Sequence, residues 1–201
     1  MINNFFQHTQ NPRGFLGRLM LRTMNTGHSS LASWGMDHLQ FTPGIRILDI
    51  GCGGGENIHT MLTGISGSQV DGIDYSEESV AFSRKTNAPF LGTRSTIQQG
   101  NAISLPFGDN MYDIVTAFET VYFWNNISRA FMEVYRVMKP GGTFMICCVA
   151  DDPSDTTWTK KIKGMRVYSG DELTGLLSGP GFTGIACDRN PRGWICVTAG
   201  K

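Results

Sequence analysis

An α/β fold, with a mostly parallel sheet wound between helices, is what this sequence predicts. Two observations carry that expectation. Short apolar runs alternate with stretches of helical spacing, as strands and crossover helices do. The link between the last two runs, 188–193, is too short for a crossover helix, so the sheet closes on an antiparallel hairpin.

The elements follow in order. After the turn-prone Thr42-Pro43-Gly44, residues 45–50 read as a buried strand. A glycine turn and a helix over about 56–62 come next. Residues 69–73 are a second strand. Ser76, followed by Glu77 and Glu78, caps a helix running to about 86, with an oxygen acceptor at its start and acids in its first turn. Residues 95–99 are a weak third strand and 112–118, YDIVTAF, a stronger fourth. Over 127–138, Ile127, Ala130, Phe131, Val134 and Val137 fall on one helical side. Lys139-Pro140-Gly141-Gly142 is expected to stop that helix. The continuous apolar run 142–149 has the buried parallel character. Ser169-Gly170-Asp171-Glu172 opens a last helix, ending near 178–181, and 182–187 and 194–199 form the hairpin.

Composition narrows the class. With 201 residues, 40% hydrophobic and 17% charged, the chain suits one globular domain. Lys+Arg and Asp+Glu are both 17, so no global basic field points to nucleic acid. No apolar run approaches the length of a membrane span, and no membrane partner is expected. The five cysteines, Cys52, Cys147, Cys148, Cys187 and Cys196, show no metal-binding spacing, and no metal site is expected. They read as reduced thiols of a cytoplasmic protein. Residues 1–36 contain no acid but carry Arg13, Arg18 and Arg22. That bias leaves open a transit peptide and a cap over an anionic ligand.

The most informative stretch is 47–56, ILDIGCGGGE. Glycines after a first strand let a ligand approach the backbone at a helix N-terminus. A dinucleotide fingerprint needs G-x-G-x-x-G, but here the sixth position is Glu56, an acid where a pyrophosphate would sit. No Gly-Lys-Ser/Thr follows, which removes the P-loop reading. Asp49 at the end of the strand suits a cofactor with a cationic amino group. Asp74, at the end of the second strand and roughly 20 residues on, suits a ribose diol.

ILDIGCGGG, GIDYS, GNAISLPFGDNMYDIV and VMKPGGTF, in that order, resemble the class I S-adenosylmethionine-dependent methyltransferases over about 45–149. The resemblance implies a three-layer, doubly wound Rossmann-like sheet of seven strands in the order 3-2-1-4-5-7-6, the last antiparallel. It implies S-adenosylmethionine as cofactor, with S-adenosylhomocysteine as product. Asp49 and the turn carrying Gly51, Cys52, Gly53 and Gly55 would serve the methionine part. Asp74 would hold the ribose, with Tyr75 and Ser76 beside it. Asn101, next to Ala102, stands where the family often has an acid for the adenine amino group. Phe118 and Glu119 would close the cofactor site. The family pattern divides the chain into an N-terminal helical cap, 1–40, over the cofactor and acceptor pocket, and a methyltransferase domain, 41–201.

Methyl transfer from a sulfonium is an in-line displacement, so alignment is the main task and a base helps only a protonated acceptor. The candidates are Glu119 and Tyr122, beyond the fourth strand, and His28 in the cap. The segment after that strand lacks the Asn/Asp-Pro-Pro-aromatic signature of base and glutamine amino methyltransferases. A compact body with little added to the sheet favours a small-molecule acceptor. Methylation of RNA or protein, and cofactor sensing without transfer, remain the alternatives, as do a monomer and a homodimer.

Overall fold

The computed structural model describes residues 29–201. A short helix, α1 (Ser29–Met36), precedes the sheet. Then follow β1 (Arg46–Ile50), α2 (Glu56–Gly64), β2 (Gln69–Asp74), α3 (Glu77–Thr86), β3 (Ile97–Gln99) and β4 (Tyr112–Phe118). The chain continues through α4 (Ile127–Val137), β5 (Met138–Cys148), α5 (Gly170–Ser178), β6 (Thr183–Arg189) and β7 (Ile195–Gly200). The seven strands lie in the order β3-β2-β1-β4-β5-β7-β6. All neighbours are parallel except β7, which is antiparallel to both β5 and β6.

Successive side chains of a strand point to opposite faces, and the central strands carry apolar residues at both sets of positions. Ile47, Ile114, Met145 and Cys147 pack on one face with Leu31 of α1, Ile58, Met61 and Leu62 of α2 and Val80 of α3. Leu48, Val115, Ile146 and Cys148 pack on the other with Phe131 and Val134 of α4 and Leu173 and Leu177 of α5. Two helical layers thus sandwich the sheet. Cys147 and Cys148 fall on opposite faces, as strand alternation requires.

Helix ends follow the local chemistry. Ser76 Oγ accepts from Ser79 N at the start of α3. Ser169 and Glu172 form a reciprocal capping box on α5, which satisfies two amides that a helix start leaves without partners. Gly72 is in β2 for a packing reason: a Cβ there would come within 2.4 Å of Ile58 Cδ1. α2 therefore lies directly against the sheet.

One expectation needs correction. Lys139-Pro140-Gly141-Gly142 does not separate α4 from a strand starting at Gly142, because β5 begins at Met138. Tyr112 pairs with Met138, yet Ile114 pairs with Thr143, so the segment is a bulge in β5. Pro140 has no ladder hydrogen bond to give there. Gly142 is required because a Cβ would sit 2.9 Å from Lys139 O and 3.0 Å from Asp113 O. Lys139 Nζ closes the bulge by donating to Asp113 at 2.9 Å.

Candidate active site

The C-terminal ends of β1, β2 and β4 open into one cavity of about 310 Å³. In an open α/β sheet this is where ligands bind, at the point where the strand order reverses. The 51–55 turn forms one wall. Gly51 N and Cys52 N both donate to Ile73 O, at 2.8 and 2.9 Å, and Gly55 N donates to Cys52 O at 2.9 Å. Gly53 N donates to Asp74 Oδ2 at 2.9 Å. The turn's amides are thus largely committed to the protein itself, and the glycines contribute space rather than a row of donors.

Each glycine makes space for a different neighbour. A Cβ on Gly51 would meet Thr120 Oγ1 at 2.1 Å, and one on Gly55 would meet Ser83 Oγ at 2.2 Å. A Cβ on Gly53 would meet nothing within 4 Å. Gly53 lines the cavity, as Gly51 and Gly54 do, and a Cβ on it would stand in open space. Gly51, Gly53 and Gly55 have φ between 52 and 80°, a region that other residues enter only with strain.

Two carboxylates lie behind and beside this wall. Asp49 is 1% exposed and accepts from Thr116 Oγ1 at 2.7 Å. Burial pushes its pKa up to about 7 against the Thr116 bond, with the Asp74 charge adding to the rise. Asp74 receives Gly53 N on one oxygen and Ser76 N, at 2.8 Å, on the other. Burial raises its pKa too, although these amides hold it down. No Lys, Arg or His lines the cavity among the described residues. Asp49 and Asp74 therefore favour an occupant that brings positive charge and hydrogen-bond donors.

A third acid faces the cavity from the end of β4. Glu119 adopts φ of 55°, unusual for a residue with a side chain. Its amide is held by Cys147 O at 2.9 Å. Its Oε1 accepts from Val149 N at 2.5 Å and from Tyr122 Oη at 3.1 Å. The Tyr122 hydroxyl in turn accepts from Ala150 N at 3.0 Å. Burial pushes Glu119 up to about 7 while the Val149 and Tyr122 bonds pull it down. Such a backbone conformation at Glu119 costs free energy, and the bonds from Cys147, Val149 and Tyr122 hold it. Leu31, Ala32, Phe118, Phe123 and Trp124 supply an apolar border around it.

The structure brings Gly51, Cys52, Gly53, Asp74, Tyr75, Asn101, Ala102, Phe118 and Glu119 together on the cavity wall. Asp49, Gly55, Ser76 and Tyr122 stand behind the wall, where they hold it in shape. Tyr75 is 65% exposed. Asn101 Oδ1 accepts from Ile103 N at 3.2 Å. The Cys52 thiol points away to Ser83 Oγ at 3.8 Å, and burial pushes its pKa well up, which makes it no nucleophile. His28 lies outside the described residues. Among the described residues, no group of three His, Cys, Asp or Glu side chains is placed to hold a metal ion. Sequence reasoning passed over Thr116 and Thr120. Thr116 pairs in register with Asp49 across β1 and β4, a relation that needs the sheet order.

S-adenosylmethionine fits these residues. Its ammonium and sulfonium match a wall of acids without bases, its ribose diol matches Asp74, and Glu56 at the start of α2 disfavours phosphates. Comparison with known proteins agrees. Residues 48–146 match the family model described as a methyltransferase domain. Over those residues the chain matches the S-adenosylmethionine-dependent methyltransferases, and its strand order is that of their class I fold. Demethylmenaquinone methyltransferase of Symbiobacterium thermophilum is 40% identical over 121 residues, covering 56% of this chain and 45% of that protein. 24-Methylenesterol C-methyltransferase 2 of Oryza sativa subsp. japonica is 36% identical over 110 residues, covering 54% of this chain and 30% of that one. The crystal structure of an S-adenosylmethionine-dependent methyltransferase from Aquifex aeolicus superposes with a TM-score of 0.75 at 17% identity, covering 90% of this chain and 96% of that one. The chain thus spans less than half the length of the two curated relatives, and the structural likeness concerns the fold.

Proposed function

We propose that this chain transfers a methyl group from S-adenosylmethionine to a small-molecule acceptor by in-line displacement. The observation that carries the reading is the cavity wall itself: Gly53 on it, Asp74 beside it and Asp49 beneath. When bound, the cofactor supplies an electrophilic methyl on a sulfonium. Asp49 balances the cofactor's ammonium charge, Asp74 accepts from the ribose hydroxyls, and Tyr75 and Asn101 border the adenine. Glu119, held by Val149 and Tyr122, takes the acceptor's proton where the acceptor arrives protonated.

The acceptor is small and largely apolar on this reading. Phe123 and Trp124 border the cavity next to Glu119, and two relatives are named for demethylmenaquinone and a methylenesterol. The reading includes a division into a cap, 1–40, of which residues 1–28 lie outside the described residues, and a cofactor-binding domain, 41–201. The lining by Leu31 and Ala32 of α1 supports that division. Buried free thiols at Cys52, Cys147, Cys148 and Cys196 support a reducing, cytoplasmic setting. Among the described residues no helix is long and apolar enough to cross a membrane.

Calorimetry with S-adenosylmethionine, S-adenosylhomocysteine and NAD tests the cofactor. Binding of the first two and not the third is expected, and the reverse sinks the proposal. Incubation with methyl-labelled cofactor and a metabolite extract tests the transfer. Label appearing in RNA or protein instead would overturn the small-molecule acceptor, and label appearing nowhere would leave a cofactor-binding sensor.

A further inference from the structure

The glycine turn is held from behind at a point that the cavity does not touch. Asn87, the C-terminal cap of α3, is fully buried. Its Nδ2 donates to Gly55 O at 2.9 Å and to Ser83 O at 3.1 Å, so both of its amide hydrogens are placed. Gly55 O also receives His59 N at 3.0 Å, the first hydrogen bond of α2. Gly55 is the N-cap of α2, has φ of 80°, and has no side-chain cap of its own. A Cβ there would lie 2.7 Å from Asn87 Nδ2. The glycine and the asparagine therefore fit one another.

The end of β2 holds the turn as well. Asp74, the last residue of β2, receives Gly53 N at 2.9 Å. The turn is thus gripped at Gly53 from the end of β2 and at Gly55 from the C-terminal end of α3. Between these grips lies backbone of high intrinsic freedom, which a ligand would otherwise have to order on binding.

We propose that Asn87 is a positioning residue for cofactor binding: by holding the Gly55 carbonyl it presets the 51–55 turn in the shape that accepts the cofactor. The inference rests on the reading of the cavity as an S-adenosylmethionine site. Asn87 is not among the residues that line the cavity, so its effect passes through the turn it holds.

The test is calorimetry of S-adenosylhomocysteine with the full chain, paired with hydrogen exchange of the peptide covering 51–55. Asn87→Ala is expected to weaken binding by about tenfold and to speed exchange in that peptide while β4 and β5 stay protected. Asn87→Ser, a smaller change in volume, is expected to do the same and serves if the alanine variant does not fold. Ser169→Ala removes the cap of α5 and controls for general loss of stability. It is expected to lower the melting temperature without changing affinity. Asn87 variants that bind like the wild type overturn the inference, as does a Ser169→Ala chain that weakens binding equally. A wild-type chain that binds no S-adenosylhomocysteine overturns the functional reading and this inference with it.

Discussion

Tyr122 Oη lies 3.1 Å from Glu119 Oε1 and 3.0 Å from Ala150 N. One phenol therefore ties the acid at the end of β4 to the strand end beside it. Removing the hydroxyl leaves the Ala150 amide and Glu119 each one partner short. Tyr122→Phe is expected to cost about 1–3 kcal/mol of stability, measured by denaturant titration. The hydroxyl also pulls the Glu119 pKa down. Its loss should move the Glu119 titration, followed by carbon-13 NMR of the carboxyl, to higher pH. An unmoved titration would show that Tyr122 does not tune the acid.

The two raised acids make stability depend on pH in an unusual direction. Asp49 and Glu119 have native pKa values of about 7 against 3.8 and 4.5 for the free groups. Between those limits the native chain keeps protons that the unfolded chain releases, so stability falls as pH rises. The ligand-free protein should melt at a higher temperature near pH ~5.5 than near pH ~8. Asp49→Asn should flatten that difference. S-adenosylhomocysteine should flatten it too, because its ammonium favours the ionised Asp49. A ligand-free melting temperature that rises over this interval would contradict the assignment.

Gly51 and Gly53 should respond unequally to the same substitution. Gly51→Ala drives a methyl into Thr120 at a positive φ, and about 3 kcal/mol or more of stability should be lost. Adding Thr120→Gly should recover the steric part and leave the backbone strain of about 1 kcal/mol. Gly53→Ala meets no neighbour and should cost the fold only about 1 kcal/mol. Gly53 lines the cavity, however, and S-adenosylhomocysteine affinity should fall by about tenfold or more. Equal effects of the two alanines on stability would refute this division of roles.

Asp74→Ala removes the acceptor of two amides, Gly53 N and Ser76 N. It should cost about 1–3 kcal/mol of stability and weaken S-adenosylhomocysteine binding by more than about tenfold. Asp74→Asn keeps one acceptor oxygen and should fall between. Calorimetry that finds wild-type affinity in the alanine variant would remove Asp74 from the site.

Much of the fold was legible because its signals are local. The YDIVTAF strand, the Ser76 cap and the Ser169–Glu172 box depend on residues a few positions apart. Lys139-Pro140-Gly141-Gly142 shows the limit of such signals. The helix does stop before it, at Val137, but the segment belongs to β5 as a bulge whose shape is set by Tyr112 and Asp113 on the neighbouring strand. The glycine turn stands between these cases. Its place after β1 was evident, yet the neighbours that exclude side chains from Gly51 and Gly55 come from Thr120 and from Ser83 and Asn87, far along the chain.

The order of apolar runs and the hairpin link by themselves determined an α/β sheet closed by an antiparallel hairpin, while the strand order and the cofactor were implied by the resemblance of four ordered motifs to a known family. The first of these follows from periodicity and spacing, which short-range sterics and hydrophobic burial enforce. Only the tertiary structure decided which glycine has open space where a Cβ would stand, why Asp49 keeps a proton to about pH 7, and what holds Glu119 in place. Each of these depends on desolvation and hydrogen bonds between residues remote in sequence, and such contacts exist only once the sheet has brought the strand ends together.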